Sequence, residues 1–292
     1  MSAALDMHSS LAGPDLGPRR RLYSAIGWGL CSFAFLLIAA PLIDIVWVVV
    51  SKGLSAFSWT LFTTVTNGTS GGLLNAITGT ILLSGGALII AVPIGVGAGI
   101  YLSEYGNNNL GAVIRFLSDV LTGTPSIVLG YFSYITFVIT LGWQFSALAG
   151  MITLAIMIVP YLARISELAL RGVPNTVREA TFALGAKDPT VVFKIVLPSA
   201  FPGVLTGILL ALAISVGETA PLIYTAGWSN FLWNGKFTHE PVGYLTFVIW
   251  NFINQPFESA HALAFAAAFL VMLVVLIINV GVRVAIRKRS FA

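Results

Sequence analysis

Charge is what this 292-residue chain has least of: Asp, Glu, Lys and Arg make up 9% of it, against 57% hydrophobic residues. So little polar surface cannot cover a water-soluble globule of this length, which places the chain in lipid. Its single cysteine, Cys31, excludes an intrachain disulfide and a cysteine metal cluster, and no metal site is expected. It has no glycine-rich loop ending in Lys-Ser or Lys-Thr to cradle ATP phosphates, so any ATP hydrolysis must come from another subunit. The ten-residue alternation of a membrane barrel is also missing. The net charge of +4 is spread beside apolar runs rather than gathered on one face, which argues for membrane topology and against nucleic acid as partner.

What is present is a series of apolar runs, each long enough to cross a bilayer at 1.5 Å per residue. They predict an all-α protein of about six spans: Tyr23–Val50, Leu73–Tyr101, Phe116–Thr140, Phe145–Leu170, Ser199–Ala226 and His261–Val282. The first follows Arg19, Arg20 and Arg21; it is longer than a signal-peptide core and lacks a small-residue cleavage site, so it reads as a retained span. A transmembrane domain over residues 23–287 is expected between a disordered tail, residues 1–22, and a short basic tail, residues 288–292. With the N-terminus inside, only Lys52 and Lys236 of the 15 basic residues fall outside and Arg164 within a span, so both termini are assigned to the cytoplasm. Of two long outer connections, the second holds Pro241–Gln255. That stretch is too short to cross, and suits a re-entrant segment or an interfacial anchor for Trp250.

The inner loop Val173–Pro198 predicts two short helices around a tight turn. Pro174 suits a first helical position, Gly185 a left-handed helix end, and Asp188-Pro189 the opening of a second helix. Ala180, Ala183 and Leu184 are expected to face a soluble partner while Arg178, Lys187 and Lys194 stay in water. Glu179-Ala180, Gly185, Ile195 and Leu197-Pro198 resemble, spacing for spacing, the EAA loop of importer-type ABC permeases, with Thr181 where that family has Ala. The resemblance implies docking into a cytoplasmic ATPase, with Glu179 bridging to it, Ala180 in the contact and Gly185 allowing the turn.

Ionisable residues within spans usually face the bundle interior or a water-filled path, which singles out Asp44, Asp119, Arg164, Glu167 and Glu218. Arg164 and Glu167 lie three apart on one helix face, where they can pair with each other or offer a guanidinium fork to an oxyanion. Pro125, Pro160 and Pro221 interrupt spans nearby and free backbone groups that lipid cannot satisfy. Such breaks line a translocation path or simply kink a packed helix. Gly95, Gly97 and Gly99 read as close helix packing. Counted from the inner ends of their spans, Arg164 lies about 10 Å deep and Glu218 about 30 Å, so they serve separate gates unless the fifth helix starts well below the bilayer.

Gly217-Glu218-Thr219-Ala220-Pro221-Leu222 and Thr124-Pro125-Ser126-Ile127-Val128-Leu129-Gly130 are similar to stretches of the phosphate-specific ABC importer permeases, the PstA family. The resemblance runs from the second span to the sixth. It implies a type I ABC importer permease bundle in a bacterial cytoplasmic membrane, and an Arg and a Glu tied to transport where Arg164 and Glu167 stand. It also implies a second permease of the PstC type, a PstB-like ATPase dimer that binds ATP-Mg, and a PstS-like phosphate-binding protein; this chain is expected to bind no cofactor of its own. Phosphate at neutral pH keeps a proton that sulfate lacks, so Glu218, with Ser126 and Thr219 as hydroxyl partners, is expected to accept that proton's hydrogen bond and repel sulfate. The rival readings are an ABC permease for another oxyanion, such as phosphonate or sulfate, and an ion-gradient-driven carrier using Asp119, Glu167 or Glu218. The first is opposed by the Gly217–Leu222 signature and the second by the docking loop.

Overall fold

The computed structural model describes residues 17–289, with the side chains of Arg21 and of residues 282–289 left aside. The structure divides after Ser51 into two units. The first is the body of helix α1 (Pro18–Ser55), apolar on every side, with Trp28, Phe35 and Trp47 exposed, the pattern of a helix whose solvent is hydrocarbon. It already begins at Pro18, so the last part of the expected tail is helical. Residues 1–16 of that tail, and 290–292 of the C-terminal one, lie outside the described residues.

The second unit is built on α3 (Leu74–Glu104) and α6 (Ala147–Arg171); a short α2 (Thr60–Thr63) and the hairpin of β1 (Thr66–Asn67) with β2 (Ser70–Gly71) precede α3, and α4 (Asn109–Gly123) and α5 (Ser126–Thr140) lie between α3 and α6 in the chain. The α3–α6 seam holds Leu83, Ala87, Ala91, Met151, Leu154, Ile158 and Leu162, all buried. Ala87, Ala91, Gly95 and Gly99 recur every fourth residue on α3, the small-residue spacing that lets two helix backbones approach in a medium with no hydrophobic drive between them. The approach is close: a Cβ on Gly95 would stand 2.6 Å from the Leu162 Cβ, and one on Gly99 2.4 Å from the Ser166 Cβ and 2.9 Å from the Ala163 carbonyl oxygen. Gly97 faces open space and has no part in the seam. Gly99→Ala is therefore expected to cost about 1–3 kcal/mol by overpacking, and Gly97→Ala to be neutral or stabilising by up to about 1 kcal/mol. Thermal denaturation of the two purified variants checks this; equal midpoints would remove the seam from the account.

The third span differs from a straight Phe116–Thr140 helix. It starts at Asn109, whose preceding Asn108 caps the Gly111 amide, and bends by 100° between α4 and α5. Thr124-Pro125 is the cause, because proline removes a donor and forces its predecessor out of the helical region. The second half of α5, Tyr134–Thr140, is wound as a π-helix. The inner loop also differs in one respect. Helix α7 (Asn175–Ala183) and the turn at Gly185, φ +80°, are as expected, except that Pro174 stands just before the first helical residue with ψ 141°, the left-handed conformation at Gly185 being the one glycine takes without a Cβ clash. The second element, however, runs from Asp188 through a π-wound Val191–Val196 into the fifth span as one helix, α8 (Asp188–Gly217). Pro189 stands in its first turn, where the missing amide costs nothing.

Helix α8 stops at Glu218, whose backbone is extended, and the chain resumes as α9 (Ala220–Thr225). The carbonyl freed at Glu218 accepts a 2.6 Å bond from the Thr246 hydroxyl on α10 (Leu245–Phe252), and the Leu245 amide donates to Thr80 Oγ1 at 2.9 Å. The Glu218 carbonyl at the break and the first amide of α10 are thus both met inside the protein, as a lipid setting requires. Helix α10 lies within the expected Pro241–Gln255 stretch and buries Leu245, Val248 and Phe252 against Leu263, Ala264 and Ala267 of the last helix, α11 (Glu258–Arg289), leaving Trp250 half exposed. In the loop before α10, Lys236 and then Asn234 hydrogen-bond Glu240 and hold its carboxyl below the usual carboxylate range.

Candidate functional site

Two polar sites share one side of α6. Residues 157, 161, 164, 168 and 171 fall on one stripe of that helix by spacing, and Arg164, Leu168 and Arg171 are its exposed members. Its upper part, Met157 and Tyr161, lines a cavity of about 200 Å³ with Thr122, Thr124, Ser126 and Glu218. Two breaks in regular helix and one close helix contact bring these together. The α4–α5 bend presents Thr124 and Ser126, the end of α8 presents Glu218, and the absence of a side chain at Gly130 lets α9 close in, since a Cβ there would be 2.5 Å from the Pro221 Cα. Gly130 is one turn beyond Ser126, so this contact draws Ser126 onto Glu218. The half-buried Glu218 carboxylate accepts from the Ser126 hydroxyl and from the Thr219 backbone amide. Thr219 thus contributes its amide there rather than the hydroxyl expected of it.

The second site lies lower on the same stripe. Glu167 is 1% exposed and faces three guanidinium groups: Arg115 Nε at 2.8 Å, Arg171 Nη2 at 3.0 Å and Arg164 Nη1 at 3.2 Å. The expected Arg164–Glu167 pair is present but is one edge of a larger cluster. Arg115 completes its own bonding at the end of α3, donating to the Leu102 carbonyl of its last turn at 2.8 Å and to the Gly106 carbonyl just past it at 3.0 Å. Arg164 is half exposed and gives only one of its five N–H donors to Glu167. Three positive charges against one negative leave the cluster electropositive.

The two sites are closer than counting residues from the span ends suggests. Gly207 packs on Ile165 and Gly203 on Ala169, which sets Arg164 about 15 Å below Glu218 along α8, and Tyr161 at the cavity edge is one helical turn above Arg164. The offset shrinks because α8 does start well below the span predicted for it. Asp119 is exposed on α4 and joins neither site, and Asp44 is exposed on α1. On α7, Glu179 and Ala180 are exposed beside Phe182, and Leu184 is 89% exposed, an apolar knob with one carboxylate. Arg178 corrects the expectation that it stays in water. It grips Glu104 with Nε at 3.2 Å and Nη2 at 3.0 Å, and donates to the Leu170 carbonyl at 2.9 Å. Reading the sequence missed Arg115, Arg171, Tyr161 and Glu104; the two arginines had served only as inner flanking charges, although Arg171 is four residues beyond Glu167 on one helix face.

Comparison with known proteins agrees with this architecture. Residues 91–290 match the family described as binding-protein-dependent transport system inner membrane component. The chain is 42% identical over 264 residues to "Phosphate transport system permease protein PstA 2" of Mycobacterium bovis, covering 90% of this chain and 88% of that one. It is 42% identical to the PstA of Yersinia pestis, covering 85% of each, and 38% identical to that of Xylella fastidiosa, covering 96% and 98%. Among solved structures it is similar to a chain of the MetNI methionine ABC transporter in an inward-facing conformation, with TM-score 0.63, 19% identity, and 74% of this chain and 95% of that chain covered. The bundle is thus a type I ABC importer permease fold, and the chain belongs to the binding-protein-dependent transport system inner membrane component family, among its PstA permeases.

Proposed function

We propose that the chain is the transmembrane permease subunit of an ATP-driven importer of inorganic phosphate, acting in a bacterial cytoplasmic membrane with a related second permease, an ATPase dimer and an extracytoplasmic phosphate-binding protein. The observation that carries the substrate is the Glu218 cavity, one turn of α6 above Arg164, joined to kinship with proteins named as phosphate transport permeases. The hydroxyls of Thr122, Thr124 and Ser126, which otherwise donate to the Ser118 and Val120 carbonyls and to Glu218, can turn to donate to phosphate oxygens, as can that of Tyr161. Glu218 is the acceptor for the one proton phosphate retains, and Arg164 offers a planar fork to the anion as it leaves the cavity. Glu167 holds Arg164 in place and tempers its charge, so that the anion binds without being trapped.

ATP-Mg acts on the partner ATPase. Closure of the ATPase dimer moves the α7 knob, Glu179, Ala180 and the Gly185 turn, and the bundle alternates between outward and inward access. Labelled phosphate uptake at micromolar concentration, in cells with and without the chain and with excess sulfate present, tests the reading. Uptake is expected to vanish without the chain and to fall at least tenfold with Glu179→Ala, while resisting sulfate. Unchanged uptake in cells lacking the chain would defeat the substrate assignment.

A further inference from the structure

Two arginines from different helices grip the same short end of α3. Arg178, on the α7 knob, holds Glu104 through two parallel N–H bonds, at 3.2 and 3.0 Å, with side chains only 15% and 10% exposed. Arg115, on α4, holds the Leu102 and Gly106 carbonyls just beside it. The Leu102 carbonyl is one that a helix end leaves without an intrahelical partner, and Gly106 lies two residues past that end. Arg178 also binds the last-turn carbonyl of Leu170 on α6, and Arg171 reaches the Leu102 carbonyl at 3.4 Å. A forked guanidinium with several simultaneous partners fixes orientation as well as distance. The α3 end is therefore held to α7 on one side and to α4 on the other. Arg115 and Thr122 are half of α4 apart, about 10 Å along its axis, and Thr122 and Thr124 form a wall of the Glu218 cavity.

We propose that Arg178–Glu104 and Arg115 are positioning residues forming one linkage, through which movement of the α7 knob is handed across the end of α3 to α4 and so to the Thr122–Thr124 wall of the cavity. None of the three side chains lines that cavity, and the α3 end is the one piece of backbone that both clamps share. The inference rests on the phosphate-importer reading, and it adds how ATPase movement reaches the substrate cavity.

Shared linkage makes a distinctive statement about non-additivity, which spatial proximity by itself does not establish. The test uses the whole transporter, reconstituted in proteoliposomes, with ATP hydrolysis and phosphate uptake read on the same sample for wild type, E104Q, R115Q, their double variant and the charge-retaining E104D. Each single neutral variant is expected to hydrolyse ATP within about twofold of wild type while phosphate taken up per ATP falls about tenfold. E104D is expected to stay near wild type, and the double variant to show the same total loss of about tenfold as each single variant rather than about a hundredfold, because one broken linkage cannot be broken twice. A multiplicative loss in the double variant overturns the linkage and leaves the importer reading intact, as does loss of assembly in both single variants, which would assign the clamps to folding. A wild-type transporter that hydrolyses ATP without taking up phosphate overturns the importer reading, and with it the linkage.

Discussion

Replacing Glu167 with glutamine is expected to lower the stability of the chain by about 2–3 kcal/mol and to abolish phosphate uptake. The three ion pairs are unequal. Those with Arg164 and Arg171 are made within one helix by side chains about half exposed, and such pairs contribute about 0.3–0.5 kcal/mol each. The contact with Arg115 joins two helices, with Arg115 24% and Glu167 1% exposed. Removing one partner of a buried pair costs about 3–5 kcal/mol because the other charge is stranded, a figure to be discounted here because Arg115 keeps some water and two carbonyl acceptors. Arg164→Ala, by contrast, should cost under about 1 kcal/mol while still eliminating uptake. Thermal midpoints and uptake measured side by side separate the two. If E167Q melts with wild type, the cluster is not what holds α4 to α6.

Glu218→Gln is expected to erode discrimination against sulfate by about tenfold or more. A charged hydrogen bond is worth about 1.5–3 kcal/mol, roughly one to two decades of affinity. Glutamine keeps the shape and a carbonyl acceptor but loses the negative charge that repels a fully ionised tetrahedral anion. Selection by the extracytoplasmic binding protein has to be held constant, so the competitor is placed inside proteoliposomes, on the side that the binding protein does not reach. Luminal sulfate should inhibit the variant at about a tenth or less of the concentration needed for wild type. Equal inhibition would leave Glu218 without a role in selectivity.

The outline of the bundle was legible because lipid leaves few choices: apolar length marks a span, and basic flanks mark its inner end. The α7–Gly185 turn was legible too, since proline, glycine and Asp-Pro are local signals. The departures lie where tertiary contacts overrode such signals. Pro125 marked a break but could not tell a slight kink from a 100° turn. Nothing near Pro198 announced that the fifth span continues down to Asp188, because Pro198 and Pro202 read as local breaks yet sit inside one continuous helix. Ser126 and Glu218 were paired by chemical reasoning about phosphate and stand together in the structure. Arg115 was missed because its partner, Glu167, is 52 residues away on another helix, and no spacing rule reaches that far. Gly95 and Gly99 pack closely as expected, whereas Gly97, on the opposite face, does not.

The sharp turn at Thr124-Pro125 also bears on how the chain is made. At 15 residues each, α4 and α5 are about 22 Å long, short of the roughly 30 Å hydrocarbon layer. Neither half can be handed to the bilayer as a finished span, and the backbone groups bared between them find no water there. Stable integration of this segment must therefore wait for α6 and α9, synthesised after it, to supply the Arg115–Glu167 bridge and the Gly130–Pro221 contact. Ribosome-bound chains truncated before Arg171 are accordingly expected to hold their third segment loosely, open to cleavage or extraction until the following helices arrive.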